Sequence, residues 1–197
     1  MKDGFFHSYH LGWSRLDAES LLGDLGAAGL RLDHPATGRI TLVSPGSEPP
    51  ATQARVTWEQ LATVAGLQRL DEISFLLWVR SGAEVYARIR RTRGGVVALE
   101  FGLHGLSQDD QELAVRAIRE AIGRASVLCI GFVVDREGAS EATDWDGVIV
   151  NGTTLFDSWP DTLAVRHEVA ATQPQLSGVS SFEQSPWMLF GSEVPSR

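Results

Sequence analysis

The sequence predicts a single α+β domain: a mostly antiparallel sheet with two or three helices packed on one face. Three strand-like runs follow one another, and a tight glycine-containing turn joins each run to the next. This pattern indicates an antiparallel meander. A charged amphipathic stretch follows, with acids at its start and arginines at its end, which is typical of a helix aligned with its dipole. An apolar run of strand length comes next. These segments are, in chain order, Ile73–Arg80, Glu84–Arg91, Val96–Leu103, Ser107–Arg124 and Val127–Val134.

The chain before the meander predicts further strands and two helices. Aromatic and polar residues partly alternate in the first segment, which favours a strand. Ser14 or Asp17 caps the first helix and Thr57 caps the second, and a glycine ends each, Gly29 and Gly66. The expected elements are a strand at Gly4–Trp13, a helix capped by Ser14 or Asp17 and ended by Gly29, a hairpin of Leu30–His34 with Arg39–Val43, a loop at Ser44–Thr52, and a helix at Trp58–Ala65.

The chain after the meander predicts a hairpin and an edge strand. Asp135–Asp146 is an acidic connector. Val148–Val150 and Thr153–Phe156 flank Asn-Gly, a pair that suits a type I′ hairpin turn. Thr162–His167 fits an edge strand.

The last part of the chain loses its periodicity and becomes rich in Ser, Gln, Pro and Gly. We therefore expect the domain to cover residues 1–170 and residues 171–197 to form an irregular tail. Trp187–Phe190 is an apolar exception within it. This segment either pins the tail to the body of the domain, which we favour, or inserts into a partner.

Composition limits the class of protein. The chain has 197 residues, enough for one substantial core, and no apolar run near the ~20 residues that cross a bilayer. The N-terminus lacks the pattern of a signal peptide. Cys129 is the single cysteine, so no internal disulfide forms. A reducing cytoplasm is the expected location, without membrane association.

The net charge of −8 disfavours binding to nucleic acid, because acidic surfaces repel phosphate backbones. It is compatible either with simple solubility or with docking onto a basic protein. Lys2 is the only lysine, so a phosphate-loop or Schiff-base lysine is effectively excluded.

Motifs of known chemistry are lacking in the sequence. There is no Gly-x-Gly, no Gly-x-Ser-x-Gly, no His-Glu-x-x-His and no cysteine pair. His7 and His10 would point to opposite faces of a strand, so they would not bind one metal ion together. We predict no catalytic residue, no metal site and no cofactor, and the sequence leaves the question of enzymatic activity open.

Charge is distributed unevenly along the chain. Arg80–Arg93 contains five arginines and a single acid, and Asp135–Asp161 contains seven acids and a single arginine. The two segments are either solvated or paired with each other, or the acidic one faces a basic partner. On the last interpretation the partner-binding residues are Asp144, Trp145, Asp146, Trp159 and Asp161.

A second candidate site lies on the meander. Glu100 and His104 would share one face of its third strand, and side chains of the neighbouring strand would project beside them. The possible small-molecule site comprises Tyr86, Arg88, Arg90, Glu100 and His104. The alternative is a solvated sheet face.

Two hypotheses for function follow. The first is a non-catalytic cytoplasmic protein-binding module, for example an inhibitor or immunity-type protein that masks a basic partner. The second is a small-molecule-binding protein or an enzyme that uses the polar sheet face around His104. The partner, the substrate and the oligomeric state are not determined by the sequence.

Overall fold

The structure, a computed structural model, describes residues 3–43, 53–67, 72–125, 128–152 and 155–191. Its strands are β1 (Phe5–His10), β2 (Ile40–Val43), β3 (Gln53–Val56), β4 (Glu72–Trp78), β5 (Glu84–Arg91), β6 (Val97–Gly102), β7 (Cys129–Asp135), β8 (Thr162–Arg166), β9 (Ser181–Gln184) and β10 (Trp187–Phe190). Its helices are α1 (Arg15–Ala27), α2 (Trp58–Ala65), α3 (Gln108–Arg124), α4 (Trp145–Ile149) and α5 (His167–Thr172), and a 3₁₀ turn spans Pro174–Leu176.

All ten strands form one antiparallel sheet in the order β3-β2-β4-β5-β6-β1-β7-β8-β10-β9. The first strand of the chain lies in the interior, between β6 and β7. The predicted mixed fold with an antiparallel sheet is confirmed. The sheet dominates it, and the described residues form five helices where the sequence predicted two or three.

The apolar core divides into two clusters that use opposite faces of the strands. Phe6 belongs to the first cluster and its neighbour Phe5 to the second, as the period of two in a strand requires. The buried residues of α1, α2 and α3 all belong to the first cluster. Trp145, Val148 and Ile149 of α4 belong to the second. Both sides of the sheet therefore support part of the core.

Helix starts follow the predicted caps. Ser14 accepts a hydrogen bond from the backbone of Asp17, whose carboxylate accepts one from the backbone of Ser14. Thr57 and Gln60 form the same capping box at α2. Local side-chain hydrogen bonds therefore set both helix starts.

Two of the predicted strand arrangements are wrong. Val148 and Ile149 lie in α4 and not in a hairpin, because Asp144 accepts the backbone N–H of Gly147 and so caps a helical turn. Thr153 and Thr154, the start of the second hairpin strand, lie outside the described residues. The predicted edge strand is β8, which is an interior strand because β7 and β10 flank it.

The prediction of an irregular tail is also wrong for residues 171–191. They contain β9 and β10, and β10 pairs with β8 in the register Leu189↔Ala164. Trp187, Leu189 and Phe190 are buried, so this segment fixes the end of the described chain to the sheet, as the favoured interpretation expected. Residues 192–197 lie outside the described part.

The predicted hairpin near residue 35 is replaced by a different pairing. β2 pairs with β3, a strand that the sequence did not predict, and with β4. Within Leu30–His34, only Arg31 takes part in β-type pairing, through an isolated antiparallel β-bridge with Trp78. Among the described residues, no helix is both long and apolar enough to cross a membrane.

Candidate functional site

A row of polar side chains crosses the middle of the sheet. Strand register aligns Ser74 of β4 with Arg88 of β5, Arg88 with Glu100 of β6, and Glu100 with His7 of β1. Residues that are in register across antiparallel strands point to the same face. The four strands therefore bring together side chains that are far apart in the sequence.

Glu100 is the centre of this row and is only 7% exposed. Its carboxylate accepts hydrogen bonds from Arg88 Nε, at 2.6 Å, and from Arg90 Nε. Arg88 also forms an ion pair with Glu72, with 3.7 Å between Arg88 Nη1 and Glu72 Oε2. Two guanidinium groups thus compensate one nearly buried carboxylate, which is the arrangement that a buried charge requires.

The network continues from Arg90 to α4. Arg90 Nη1 and Nη2 donate to the two carboxylate oxygens of Asp146, each at 2.7 Å. The hydroxyl of Tyr9 donates to the same carboxylate at 3.0 Å. Partial burial would raise the pKa of Asp146, but the hydrogen bonds from Arg90 and Tyr9 hold that pKa below its usual value. Burial and the charge of Asp146 raise the pKa of Tyr9, so its phenol stays protonated.

An open cavity of about 270 Å³ lies on this face. Four of the five residues of the predicted small-molecule site line it: Tyr86, Arg88, Glu100 and His104. The fifth, Arg90, lines a second cavity of about 370 Å³ beside α4. The predicted set is therefore divided between two cavities, and Glu100 accepts a hydrogen bond from one arginine of each.

His7 lines the first cavity and was not predicted to belong to the site. Burial lowers the pKa of His7 to about 4, against the opposing effect of the Glu100 charge, so its imidazole is neutral at neutral pH. The hydroxyl of Tyr86 donates to Ser74 Oγ at 2.7 Å, while its side chain stays 38% exposed. The cavity therefore offers an imidazole, an aromatic face and a guanidinium to a ligand.

The carboxylate and the thiol nearest to this face are both engaged or enclosed by the fold. Both oxygens of Glu100 accept hydrogen bonds from arginines, which hold the carboxylate in a fixed network. Cys129 is buried elsewhere in the core, and burial raises the pKa of its thiol to about 12. No group of three or more His, Cys, Asp or Glu side chains within the described ranges is placed to hold a metal ion.

The residues of the predicted partner-binding site differ in exposure. Asp144 is exposed and caps α4. Trp145 is buried, with 3% exposure, so the indole predicted as an anchor is part of the core. Asp146 is engaged by Arg90, and Asp161 accepts the backbone N–H of Arg136 at 2.7 Å.

Trp159 is the exposed aromatic residue of the acidic segment. Its side chain is 42% exposed. Its ring packs edge-on against the ring of Phe156, with 4.9 Å between the ring centroids. The ring centroids of Phe156 and Trp145 are 5.4 Å apart. The backbone N–H of Phe156 donates to the side-chain oxygen of Gln175, and the side-chain nitrogen of Gln175 donates to the C=O of Phe156. Leu155 is 64% exposed. The buried ring of Phe156 therefore supports the exposed indole of Trp159, and Leu155, the residue before Phe156 in the chain, is exposed as well.

Sequence reasoning missed His7, Tyr9 and Leu155 for different reasons. His7 and Tyr9 are two positions apart on β1, so the sequence predicts that they share a face of the strand. The pairing of β1 with β6, however, depends on the tertiary fold. Leu155 fell within an expected strand, where its exposure was not predicted.

Comparison with known proteins gives no match: no family model, no curated protein and no solved structure corresponds to this chain.

Proposed function

We propose that this protein is a non-catalytic protein-binding module that docks onto a basic partner through its acidic segment, residues 135–161. The row of rings Trp145, Phe156 and Trp159 supports this most directly. It begins in the core at Trp145 and ends in the exposed indole of Trp159, and the same stretch of chain also exposes Leu155. Aromatic side chains held on a rigid support are preferred anchors of interfaces, because little conformational entropy is lost when they bind.

Charge around these anchors supports a basic partner. Four acids of the segment are exposed, and none of them forms an ion pair with a described residue: Glu137, Glu141, Asp144 and Asp157. Unpaired charges at the rim of an interface attract a partner of opposite sign and increase the association rate. The net charge of −8 adds a long-range attraction of the same kind.

An inhibitor or immunity-type protein is the specific form of module that we propose. Such a protein has to cover a basic surface and needs no chemistry of its own. The polar sheet face is compatible with this, because its carboxylates are held by arginines in a structural network. We propose the cytoplasm as its location, since the single cysteine forms no internal disulfide.

The products of the genes beside its own are the first partners to test. Each would be purified, and its affinity for the full chain measured at about 50 mM and about 500 mM salt. We expect one basic product to bind, with an affinity that falls as salt increases. Trp159→Ala should weaken that binding by about tenfold or more, because it removes the anchor. Asp157→Lys should weaken it mainly through a slower association.

Matched controls exist elsewhere in the chain. Trp58 is 38% exposed and Leu16 is 75% exposed, and both lie outside the acidic segment. Trp58→Ala should leave the affinity unchanged, and Leu16→Ser should have no effect where Leu155→Ser weakens binding. Equal losses from Trp58→Ala and Trp159→Ala, or no binding by any basic product, would contradict the proposal.

A second candidate is a small-molecule-binding protein or an enzyme that uses the polar sheet face. Its support is the cavity that Tyr86, Arg88, Glu100 and His104 share with His7. Concave sites with a few converging polar groups are the usual places for small ligands.

A thermal-shift screen of small metabolites distinguishes this candidate from the first. A ligand of the cavity should raise the melting temperature of the wild type, and His104→Ala should abolish the increase. Trp159→Ala should not change it. If no compound stabilises the protein through His104, the second candidate fails while the first stands.

A further inference from the structure

A separate cavity lies where the end of α1, the end of β4 and the N-terminal half of α3 meet. Its volume is about 170 Å³. It is distant in sequence from the acidic segment and shares no lining residue with the polar sheet face. The residues that line it are Ala28, Gly29, Leu30, Val79, Arg80, Leu113 and Arg116.

The interior of this cavity is apolar. Leu30 is 1% and Val79 is 2% exposed, so both belong to the core beneath it. Leu113 is 39% exposed although it lies on the helix that packs against the sheet, and it forms part of the cavity wall. An apolar cavity of about 150 Å³ is large enough for one benzene-sized ring. The space thus accepts a single aromatic ring or a short aliphatic chain.

Two arginines give the cavity a positive charge. Arg80 and Arg116 are both exposed, and neither forms an ion pair or side-chain hydrogen bond with any residue that the structure describes. Other arginines of this acidic chain, such as Arg88, Arg90 and Arg124, have carboxylate partners. A guanidinium group binds a carboxylate through two parallel hydrogen bonds, a geometry that lysine lacks.

We propose that this cavity binds a small apolar carboxylate: one ring or short chain that fills the apolar space, and a carboxylate group that Arg80 and Arg116 bind. Apolar burial and charge pairing would both be needed, since each is weak alone in so small a site. The site is independent of the proposed docking surface.

Phenylacetate is a suitable probe, with phenylacetamide and acetate as matched compounds. Amide shifts of the full chain would be followed by NMR during each titration. Phenylacetate should give saturable shifts at Gly29, Leu30 and Val79, with a dissociation constant of about 1 mM or lower. Phenylacetamide lacks the charge and should bind about tenfold more weakly, and acetate lacks the ring and should not saturate.

Variants assign the effect to the two arginines. The double variant Arg80→Gln, Arg116→Gln should lose about tenfold in affinity for phenylacetate and keep its weak affinity for phenylacetamide. Arg55→Gln changes an exposed arginine of β3 that does not line the cavity and should have no effect. Leu113→Ala should weaken both ring compounds, and it is expected to fold because Leu113 is partly exposed.

Three results would overturn the proposal. They are equal affinities for phenylacetate and phenylacetamide, saturable shifts that map away from the cavity, and an absence of saturation in the wild type. The dispersion of the amide spectrum of each variant shows whether it is folded, so a loss of binding is separated from a loss of structure.

Discussion

Arg90 and Asp146 form a bidentate ion pair between residues 56 positions apart, with two hydrogen bonds of 2.7 Å. The pair joins the arginine-rich strand β5 to α4 in the acidic segment. It connects the two surfaces that the sequence singled out, because Arg90 also bonds Glu100 on the polar sheet face. The charge asymmetry along the chain is therefore partly resolved inside the fold.

Loss of either partner should destabilise the protein. Asp146→Asn leaves the Arg90 guanidinium with Glu100 alone, and Arg90→Gln leaves Asp146 without its cation. The side chains are 24% and 28% exposed, so we expect a loss of about 1–3 kcal/mol, between the values for exposed and buried pairs. Urea denaturation of the single and double variants measures this. Additive losses would show that the two residues are not coupled.

Stability should fall as the pH decreases from about 6.5 to about 4. Burial lowers the pKa of His10 to about 4 against the opposing charge of Asp17, and that of His7 is similarly low. The unfolded chain takes up protons below about 6.5 and the folded chain does not, so protonation favours unfolding in this interval.

Each such histidine contributes a slope of up to about 1.4 kcal/mol per pH unit. Urea denaturation of the wild type and His10→Gln at pH values between about 6.5 and about 5 compares the slopes. Identical slopes would mean that His10 takes up a proton as readily in the folded chain as in the unfolded chain.

The thiol of Cys129 should be unreactive in the folded protein. Burial raises its pKa to about 12, and the side chain has 0% exposure. The thiolate is the reactive form, so a disulfide reagent at pH about 8 should label the protein only in urea. Rapid labelling without denaturant would show that β7 opens readily.

Phe190→Ala should cost about 3–5 kcal/mol, since Phe190 is 2% exposed and belongs to the core beside α4. Phe182 lies in the neighbouring strand β9 and is 42% exposed, so Phe182→Ala should cost well under half as much. Thermal or urea unfolding measures both. Similar small losses would indicate that β10 is not part of the cooperative fold.

Gly131→Ala should destabilise the packing of α4 on β7. A Cβ atom at Gly131 would lie 2.7 Å from the carbonyl oxygen of Ala164 and 2.9 Å from Ile149. Overpacking of this kind costs about 1–3 kcal/mol. Gly23, in α1, has open space around it, so Gly23→Ala should stabilise the protein by about 0.5–1 kcal/mol. A Gly131→Ala protein as stable as the wild type would contradict this packing.

The sequence predicted elements well where their determinants are local. The side chain of Ser107 accepts a hydrogen bond from the backbone N–H of Asp110. Helix α3 begins at Gln108, directly after Ser107, as the cap and the acidic first turn indicated. Alternation in Glu84–Arg91 gave β5 with its bounds. The sequence failed at α4, where Asn151-Gly152 suggested a hairpin while Asp144 starts a helical turn. Two local signals competed there, and tertiary packing of Trp145 and Ile149 favoured the helix.

The candidate site was partly predictable for the same reason. Tyr86, Arg88 and Glu100 lie on adjacent strands of a meander, so alternation alone aligned them. His7 joined them only because β1 inserts between β6 and β7, a pairing across more than 90 positions. Trp145 and Trp159 looked equivalent in the sequence, yet one is buried and the other exposed, because exposure depends on what packs above each residue.

The sequence by itself determined the mixed fold class, the antiparallel meander, the helix caps and the acidic character, because these follow from neighbouring residues and from composition. The tertiary structure decided the strand order, the packing of β10 into the sheet, and which charges are paired. Those features depend on contacts between distant residues, whose free energy is realised only when the whole sheet forms. The Arg90–Asp146 pair illustrates this. The sequence singled out both residues, but it left open whether their two segments were solvated, paired with each other or facing a partner.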